Sequence, residues 1–195
     1  MSSKFKVVLF VKSEIYNLKS EMDKGLIQVY TGNGKGKTTA ALGLALRAVG
    51  HDLRVLVIQF MKGNINYGEV ESSKKLSPNL TIIQSGRETF VSKTNPDPVD
   101  IRWAQDGFDF AKKAIADEAY DIVILDEIIV AVDYGLISLS DLLQLLDTKP
   151  KGVELILTGR NARPEILEKA DLVTEMVEQK HYYRNGVSAR EGVEV

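Results

Sequence analysis

The sequence predicts an α/β fold in which a mostly parallel β-sheet is flanked by helices on both faces. From residue 26 onward, short apolar runs of strand length alternate with segments of helical character, and this alternation is typical of a parallel sheet. The run at residues 53–60 is almost unbroken in apolar residues, which favours a strand covered on both sides. The first run leads directly into a glycine-rich turn and then a helix. These three observations agree on the fold class.

The first half of this pattern is predicted as three strands and one helix. The apolar run at residues 26–30 is the first strand, and the helix after the glycine-rich turn covers residues 37–49. Gly50 should end that helix, because glycine commonly caps helix C-termini. The helix is apolar almost all round, so we expect it to be buried. The runs at 53–60 and 80–84 are the second and third strands.

The second half continues the alternation up to a C-terminal tail. Residues 85–98 are rich in Gly, Pro, Asn and polar residues and are predicted as a loop. The helices that follow are predicted over residues 99–119, 128–134, 139–146 and 164–169. The strands between them are predicted over residues 121–125, 153–158 and 172–177, with a tail at 178–195. Ligands of such sheets bind beyond the carboxyl ends of the strands, so the functional site is expected there.

Residues 1–24 precede the pattern and are predicted as an N-terminal extension to a single domain at residues 25–195. Three alternatives stay open for the extension: an added edge strand, a helix over residues 13–22, or a mobile arm. Its apolar run, residues 7–11, is too short for a signal-peptide core or a membrane span. We therefore expect a cytoplasmic protein that does not enter a membrane.

Composition excludes several classes of function. The chain of 195 residues contains no cysteine, so it has no disulfide, thiolate metal site or thiol nucleophile. Its net charge of −2 argues against a large nucleic-acid footprint, which usually shows as an excess of Lys and Arg. The charged fraction of 27% and apolar fraction of 44% are ordinary for a globular protein.

The glycine-rich turn has the composition of a P-loop, the loop that wraps a nucleotide triphosphate. Glycines let backbone N–H groups crowd around phosphate oxygens, the lysine adds positive charge, and the threonine hydroxyl reaches Mg²⁺. Thr31 stands where the usual spacing has a glycine. The candidate nucleotide ligands in the turn are Gly32, Asn33, Gly34, Lys35, Gly36, Lys37, Thr38 and Thr39.

An acidic pair supplies the second half of a nucleotide site. Asp126 ends an apolar strand, and together with Thr38 it would hold Mg²⁺ directly or through water, while Lys37 holds phosphate. Glu127 has two interpretations that stay open, a base that orients water or an acid that supports the site and the helix N-terminus. Arg160 follows Thr-Gly at a strand tip, which suits either a phosphate contact or a solvated arginine.

Several blocks of the sequence closely resemble the P-loop corrinoid adenosyltransferases, that is, ATP:cob(I)alamin adenosyltransferases. The resemblance covers residues from about 25 to the C-terminus, and its most specific parts are the Asn-Gly-Lys-Gly form of the loop and the Gln-Phe-x-Lys-Gly block. The blocks are Val29-Tyr-Thr-Gly-Asn-Gly-Lys-Gly-Lys-Thr-Thr-Ala-Ala41, Arg47-Ala-Val-Gly-His51, Val57-Ile-Gln-Phe-Met-Lys-Gly63, Val123-Ile-Leu-Asp-Glu127, Thr158-Gly-Arg160 and Lys180-His181.

The resemblance implies that a corrinoid reduced to Co(I) attacks C5′ of ATP, forms a cobalt–carbon bond and releases triphosphate. It implies catalytic roles for Lys37, Thr38 and Glu127, with ATP bound in reversed sense along the loop. Thr38, Asp126 and Glu127 would hold Mg²⁺ or Mn²⁺, and Arg160 would reach the phosphate tail. A homodimer and an electron donor for Co(II) are implied in the same way.

The family's corrinoid contacts lie in a Gly-Phe-x-Trp block after the third strand. Here that region reads Ser85-Gly-Arg-Glu-Thr-Phe-Val91, so Phe90 is the candidate corrinoid contact, and Trp103 on the next helix is assigned to packing. The acceptor could be complete cobalamin, cobinamide or cob(I)yrinic acid a,c-diamide. Two other functions stay open: a small-molecule kinase or ATPase that releases ADP, and a nucleotide or corrinoid sensor without catalysis.

Overall fold

The computed structural model describes residues 24–63 and 67–194, and within them six parallel strands form one sheet. The strands are β1 Ile27–Thr31, β2 Val55–Phe60, β3 Leu80–Ser85, β4 Ile122–Asp126, β5 Glu154–Thr158 and β6 Leu172–Glu175. Their order across the sheet is β3-β2-β4-β5-β1-β6. Because every pairing is parallel, all the carboxyl ends lie along one edge. The predicted α/β fold is confirmed.

Helices connect the strands. They are α1 Lys37–Val49, α2 Gly68–Lys75, α3 Pro98–Ala116, α4 Ile128–Asp133, α5 Leu139–Thr148 and α6 Pro164–Lys169, with a 3₁₀ turn at Tyr182–Asn185. Asp97 caps the N-terminus of α3 by accepting a hydrogen bond from Val99 N at 2.9 Å, and proline stands at the first position of that helix. The sequence predicted each of these helices except α2.

Two apolar layers cover the sheet, one on each face. On the first face α3 to α6 pack against β-strand side chains such as Leu56, Val123 and Leu155, all of which are buried. On the second face the alanines of α1 pack against Val57 and Ile124. Every residue of β2, β4 and β5 is buried, as expected for central strands of a sheet covered on both sides.

The expectation that α1 is buried holds for only one face of the helix. Apart from Lys37, its buried residues are Ala41, Ala45 and Ala48, which form one stripe at helical spacing. Small side chains on that stripe let the helix axis approach the sheet closely, so the opposite side faces outward. Leu46 lies on that opposite side and is 60% exposed.

The ends of β2 and β3 approach each other closely at the functional edge of the sheet. Met61 N donates a hydrogen bond to Ser85 O at 3.1 Å. An added Cβ on Gly86 would lie 2.6 Å from Lys62 N, and one on Gly63 would overlap the carbonyl oxygen of Gly86. Glycine at both positions is therefore required by backbone packing.

The alternatives for residues 1–23, including the helix at 13–22, lie outside the described residues. In the part of the chain that the structure describes, no helix combines the length and the apolar character needed to cross a membrane.

Candidate active site

The glycine-rich turn leaves β1 and enters α1 at the functional edge of the sheet. Gly36, with φ +119°, is the N-cap of α1, and its carbonyl accepts the first helical hydrogen bond from Ala40 N at 2.7 Å. The Lys37 side chain turns back over the loop, where Nζ donates to the carbonyls of Gly32 and Gly34, each at 2.7 Å. The ammonium is thus held inside the loop that would surround phosphate.

The residues that follow β6 pack against the P-loop and form a hydrogen bond with it. Gly34 N donates to Met176 O at 2.6 Å, and a Cβ on Gly34 would lie 2.7 Å from that same oxygen. Thr31 is the last residue of β1, pairs with Glu175 and accepts a hydrogen bond from Met176 N at 2.8 Å. Thr31 replaces the usual glycine because the strand extends to this position, and a strand residue needs no unusual backbone angles.

Asp126 is the most connected acid of the site and is 1% exposed. Its Oδ1 accepts hydrogen bonds from the hydroxyls of Thr38 at 2.8 Å and Thr158 at 2.7 Å. Its Oδ2 accepts from Lys62 Nζ at 2.9 Å and from Gln59 Nε2 at 3.5 Å. The aspartate therefore joins the P-loop helix to β2, β4 and β5.

Glu127 follows directly and lies between strand and helix. Its φ of 62° is left-handed, and its backbone N donates to Thr158 Oγ1 at 2.9 Å before α4 begins. Burial, and then the charge of Asp126, raises the pKa of the Glu127 carboxyl against the opposing pull of Lys62, Lys37 and Arg160. Burial lowers the pKa of Lys37, although Glu127 opposes that shift. The two side chains thus lie close enough to influence each other.

The Glu127→Gln variant is expected to be more stable than the parent at pH 8. A carboxyl whose pKa is raised by folding ionises less readily in the folded state, so stability falls as pH rises from the unfolded pKa towards the folded one. The amide removes that cost at pH 8 and has little to remove at pH 4. Thermal unfolding at both values measures the difference. Glu168→Gln, at an exposed position of α6, is the matched control and should change Tm at neither pH.

These elements surround a cavity of about 660 Å³. It is lined by the P-loop, by Tyr67 and the start of α2, and by Glu127 and Arg160. The C-terminal segment at residues 189–194 closes a further side, where Arg190 and Glu194 form an ion pair at 3.1 Å. The cavity therefore has the position and the cationic lining of a nucleotide site.

Comparison with known proteins identifies the family. A sequence model described as "ATP:corrinoid adenosyltransferase BtuR/CobO/CobP" matches residues 23–195. The chain belongs to this family. It is therefore a nucleotide-binding transferase, and its cavity is the candidate active site of an adenosyltransferase.

Individual relatives agree with the family assignment. The corrinoid adenosyltransferase of Escherichia coli K12 is 39% identical over 172 residues, which are 88% of this chain and 86% of the relative. The corrinoid adenosyltransferase CobA of Salmonella typhimurium is 37% identical over 175 residues, 90% of this chain and 88% of the relative. A solved KaiC-like protein, PH0186 of Pyrococcus horikoshii OT3, superposes with a TM-score of 0.51 over 78% of this chain and 72% of its own, at 16% identity. That last likeness shows the fold alone.

The structure brings most of the predicted site residues of this adenosyltransferase together. Those that line the cavity are Gly34, Lys35, Gly36, Lys37, Thr38, Thr39, Glu127 and Arg160. Asn33 lines a smaller neighbouring cavity with Arg160. Phe90 lies elsewhere, fully exposed on the loop after β3, and its contact with the corrinoid stays a prediction.

Among the features of the site that were not predicted are α2, Lys62 and Thr158. The helix α2 has only Ser73 buried, so it lacks the apolar stripe that reveals most helices. Its acidic first turn and basic last turn, with Glu71 and Lys74 paired at 2.5 Å, were the available signal. Lys62 and Thr158 lie in sequence blocks that resemble the family, but their hydrogen bonds to Asp126 are visible only in the structure.

The donor set fits a magnesium ion that is shared with a nucleotide. Within residues 24–63 and 67–194 no group of three or more His, Cys, Asp or Glu side chains is placed to form an all-protein metal site. Asp126 and the Thr38 hydroxyl lie 2.8 Å apart, with Glu127 next in sequence. One or two carboxylates completed by phosphate oxygens and water are the usual surroundings of Mg²⁺.

Proposed function

We propose that this adenosyltransferase moves the 5′-deoxyadenosyl group of ATP to the Co(I) centre of a reduced corrinoid. The Co(I) electron pair forms the cobalt–carbon bond at C5′, the C5′–O bond breaks, and triphosphate leaves with that bonding pair. The observation that carries the proposal is the joining of the P-loop to Asp126 through Thr38, within a cavity lined by Lys37 and Arg160. The substrate is itself the nucleophile, so the protein supplies positioning and charge.

The roles of the residues follow from their charges. Lys37 would exchange the carbonyls of Gly32 and Gly34 for phosphate oxygens and stabilise the charge that grows on the departing triphosphate. Arg160, at the exposed tip of β5, would contact the same phosphate tail. Thr38, Asp126 and Glu127 would hold Mg²⁺ or Mn²⁺, which supplies further neutralisation of the phosphates when bound.

Four further proposals rest on the resemblance or the sequence. We propose a corrinoid acceptor that includes cob(I)yrinic acid a,c-diamide, an electron donor that reduces Co(II), and a homodimer. The corrinoid adenosyltransferases of Escherichia coli and Salmonella typhimurium carry the substrate class in their names. A cytoplasmic location is the fourth.

An anaerobic assay with chemically reduced corrinoids tests the function. We expect ATP-dependent formation of a cobalt–carbon bond together with one triphosphate for each bond formed. Offering cobalamin, cobinamide and cob(I)yrinic acid a,c-diamide in parallel identifies the acceptor. Release of ADP and phosphate instead would indicate a kinase or ATPase. Tight binding of the adenosylated corrinoid without turnover would indicate a sensor.

A further inference from the structure

The Lys62 ammonium forms an ion pair with Asp126, the acid that is proposed to hold the metal. Its Nζ lies 2.9 Å from Asp126 Oδ2, and its side chain is 19% exposed and lines the cavity. The Tyr67 ring lies 5.3 Å from the same nitrogen, within the range of a cation–π contact. The ammonium is therefore held from two sides at the mouth of the P-loop.

The carboxylate of Asp126 has no oxygen that is free of a donor. Two hydroxyls donate to Oδ1, while Lys62 and Gln59 donate to Oδ2. A divalent cation that takes Oδ2 directly must displace the Lys62 ammonium, because two positive charges cannot share that position without strong repulsion. Lys62 and a free metal ion that binds Oδ2 therefore compete for the same oxygen.

Other acids strengthen the hold on Lys62. Gln59, fully buried, donates to Glu69 Oε1 at 2.9 Å and so keeps that carboxylate on α2 close to Asp126. Burial alone would lower the pKa of Lys62, but the ion pair with Asp126 and the charges of Glu127 and Glu69 outweigh it and raise the pKa.

We propose that Lys62 makes the site selective for a metal–triphosphate complex over a free divalent cation. A free ion that displaces Lys62 breaks the ion pair with Asp126 and brings no anion to replace it. A metal–triphosphate complex brings phosphate oxygens that pair with the displaced ammonium, so both charges remain compensated. This inference rests on the proposed function only in assigning Asp126 to the metal and the cavity to triphosphate.

The test compares the parent with Lys62→Met, which keeps the length of the side chain and removes its charge. Two probes are titrated by calorimetry: Mn²⁺ alone, and inorganic tripolyphosphate in excess Mg²⁺. We expect the variant to bind Mn²⁺ alone about tenfold more tightly and Mg²⁺–tripolyphosphate about tenfold more weakly. Opposite changes for the two probes would not follow from a general loss of structure. Unchanged Mn²⁺ affinity, or unchanged tripolyphosphate affinity, overturns the proposal.

Two controls make the result specific. Lys62→Arg keeps the cation and should bind both probes within about threefold of the parent, because a guanidinium also pairs with a carboxylate. Lys74→Met removes an exposed cation of α2 and should change neither affinity. If Lys62→Met does not fold, Lys62→Gln, which still donates to Asp126 without a charge, should show the same opposite changes.

Failure of this inference and failure of the proposed function are distinguishable. The titrations use no corrinoid and no turnover, so they report on Lys62 whatever the reaction is. A parent enzyme that releases triphosphate, with a Lys62→Met variant that binds both probes like the parent, would reject the inference and keep the function.

Discussion

Replacing Lys37 with alanine is expected to lower kcat/KM for ATP-dependent adenosylation of a reduced corrinoid by about 10³-fold. The ammonium lies inside the P-loop, 2.7 Å from two of its carbonyls, and is 6% exposed. Phosphate bound in that loop would contact it directly, and its effect grows as triphosphate gains charge in the transition state. Most of the loss should therefore fall on kcat, because the contact is stronger in the transition state than in the ground state.

The control for this prediction is Lys113→Ala, at an exposed position near the end of α3, which should retain parental kinetics. Thermal unfolding of the Lys37→Ala variant separates loss of activity from loss of structure, since the buried alanines of α1 and the sheet are unchanged. A folded Lys37→Ala variant with parental turnover would show that the P-loop is not where the triphosphate departs.

Replacing Gly63 with alanine is expected to lower the free energy of unfolding by about 3 kcal/mol. The new Cβ would overlap the Gly86 carbonyl, and backbone atoms cannot rotate away as a flexible side chain can. Relief requires that the ends of β2 and β3 move apart, which would carry Lys62 away from Asp126. We therefore expect both a lower urea midpoint and weaker nucleotide binding.

Gly43→Ala supplies the matched control, because it adds the same methyl group where nothing lies within 4 Å. Gly43 is an exposed residue in the middle of α1, so alanine should stabilise the protein by about 0.5–1 kcal/mol through its higher helix propensity. Urea denaturation of both variants gives the comparison. Equal midpoints for Gly63→Ala and the parent would mean that the β2 and β3 ends do not pack as described.

The features that could be predicted from the sequence were those that depend on a short stretch of neighbouring residues. The P-loop and the strand that ends at Asp126 were each visible within about ten residues, since glycine spacing and apolar runs depend only on neighbours in the chain. The burial of α1 was overestimated because its composition was apolar, whereas apart from Lys37 only the alanines at positions 41, 45 and 48 are fully buried. Whether Leu46 is covered depends on what packs there, and the sequence of the helix does not contain that information.

Two partners of Asp126 could not be predicted for the same reason. Thr158 and Lys62 reach it from β5 and from the end of β2, and the pairing exists only because those strands flank β4 in the sheet. A threonine after an apolar run is common, and a lysine in a loop is more common still. Strand order converts these ordinary residues into neighbours of one carboxylate.

The groups around Asp126 are far apart along the chain, so the site can form only late in synthesis. Thr38, Lys62 and Thr158 are separated from Asp126 by 88, 64 and 32 positions, and the P-loop is tied to Met176. During synthesis, the carboxylate therefore lacks its full set of partners until residue 158 has left the ribosome, and the loop lacks its anchor until residue 176 has followed. A bound nucleotide can stabilise the finished domain, but it cannot bind to the complete site during the early steps of folding.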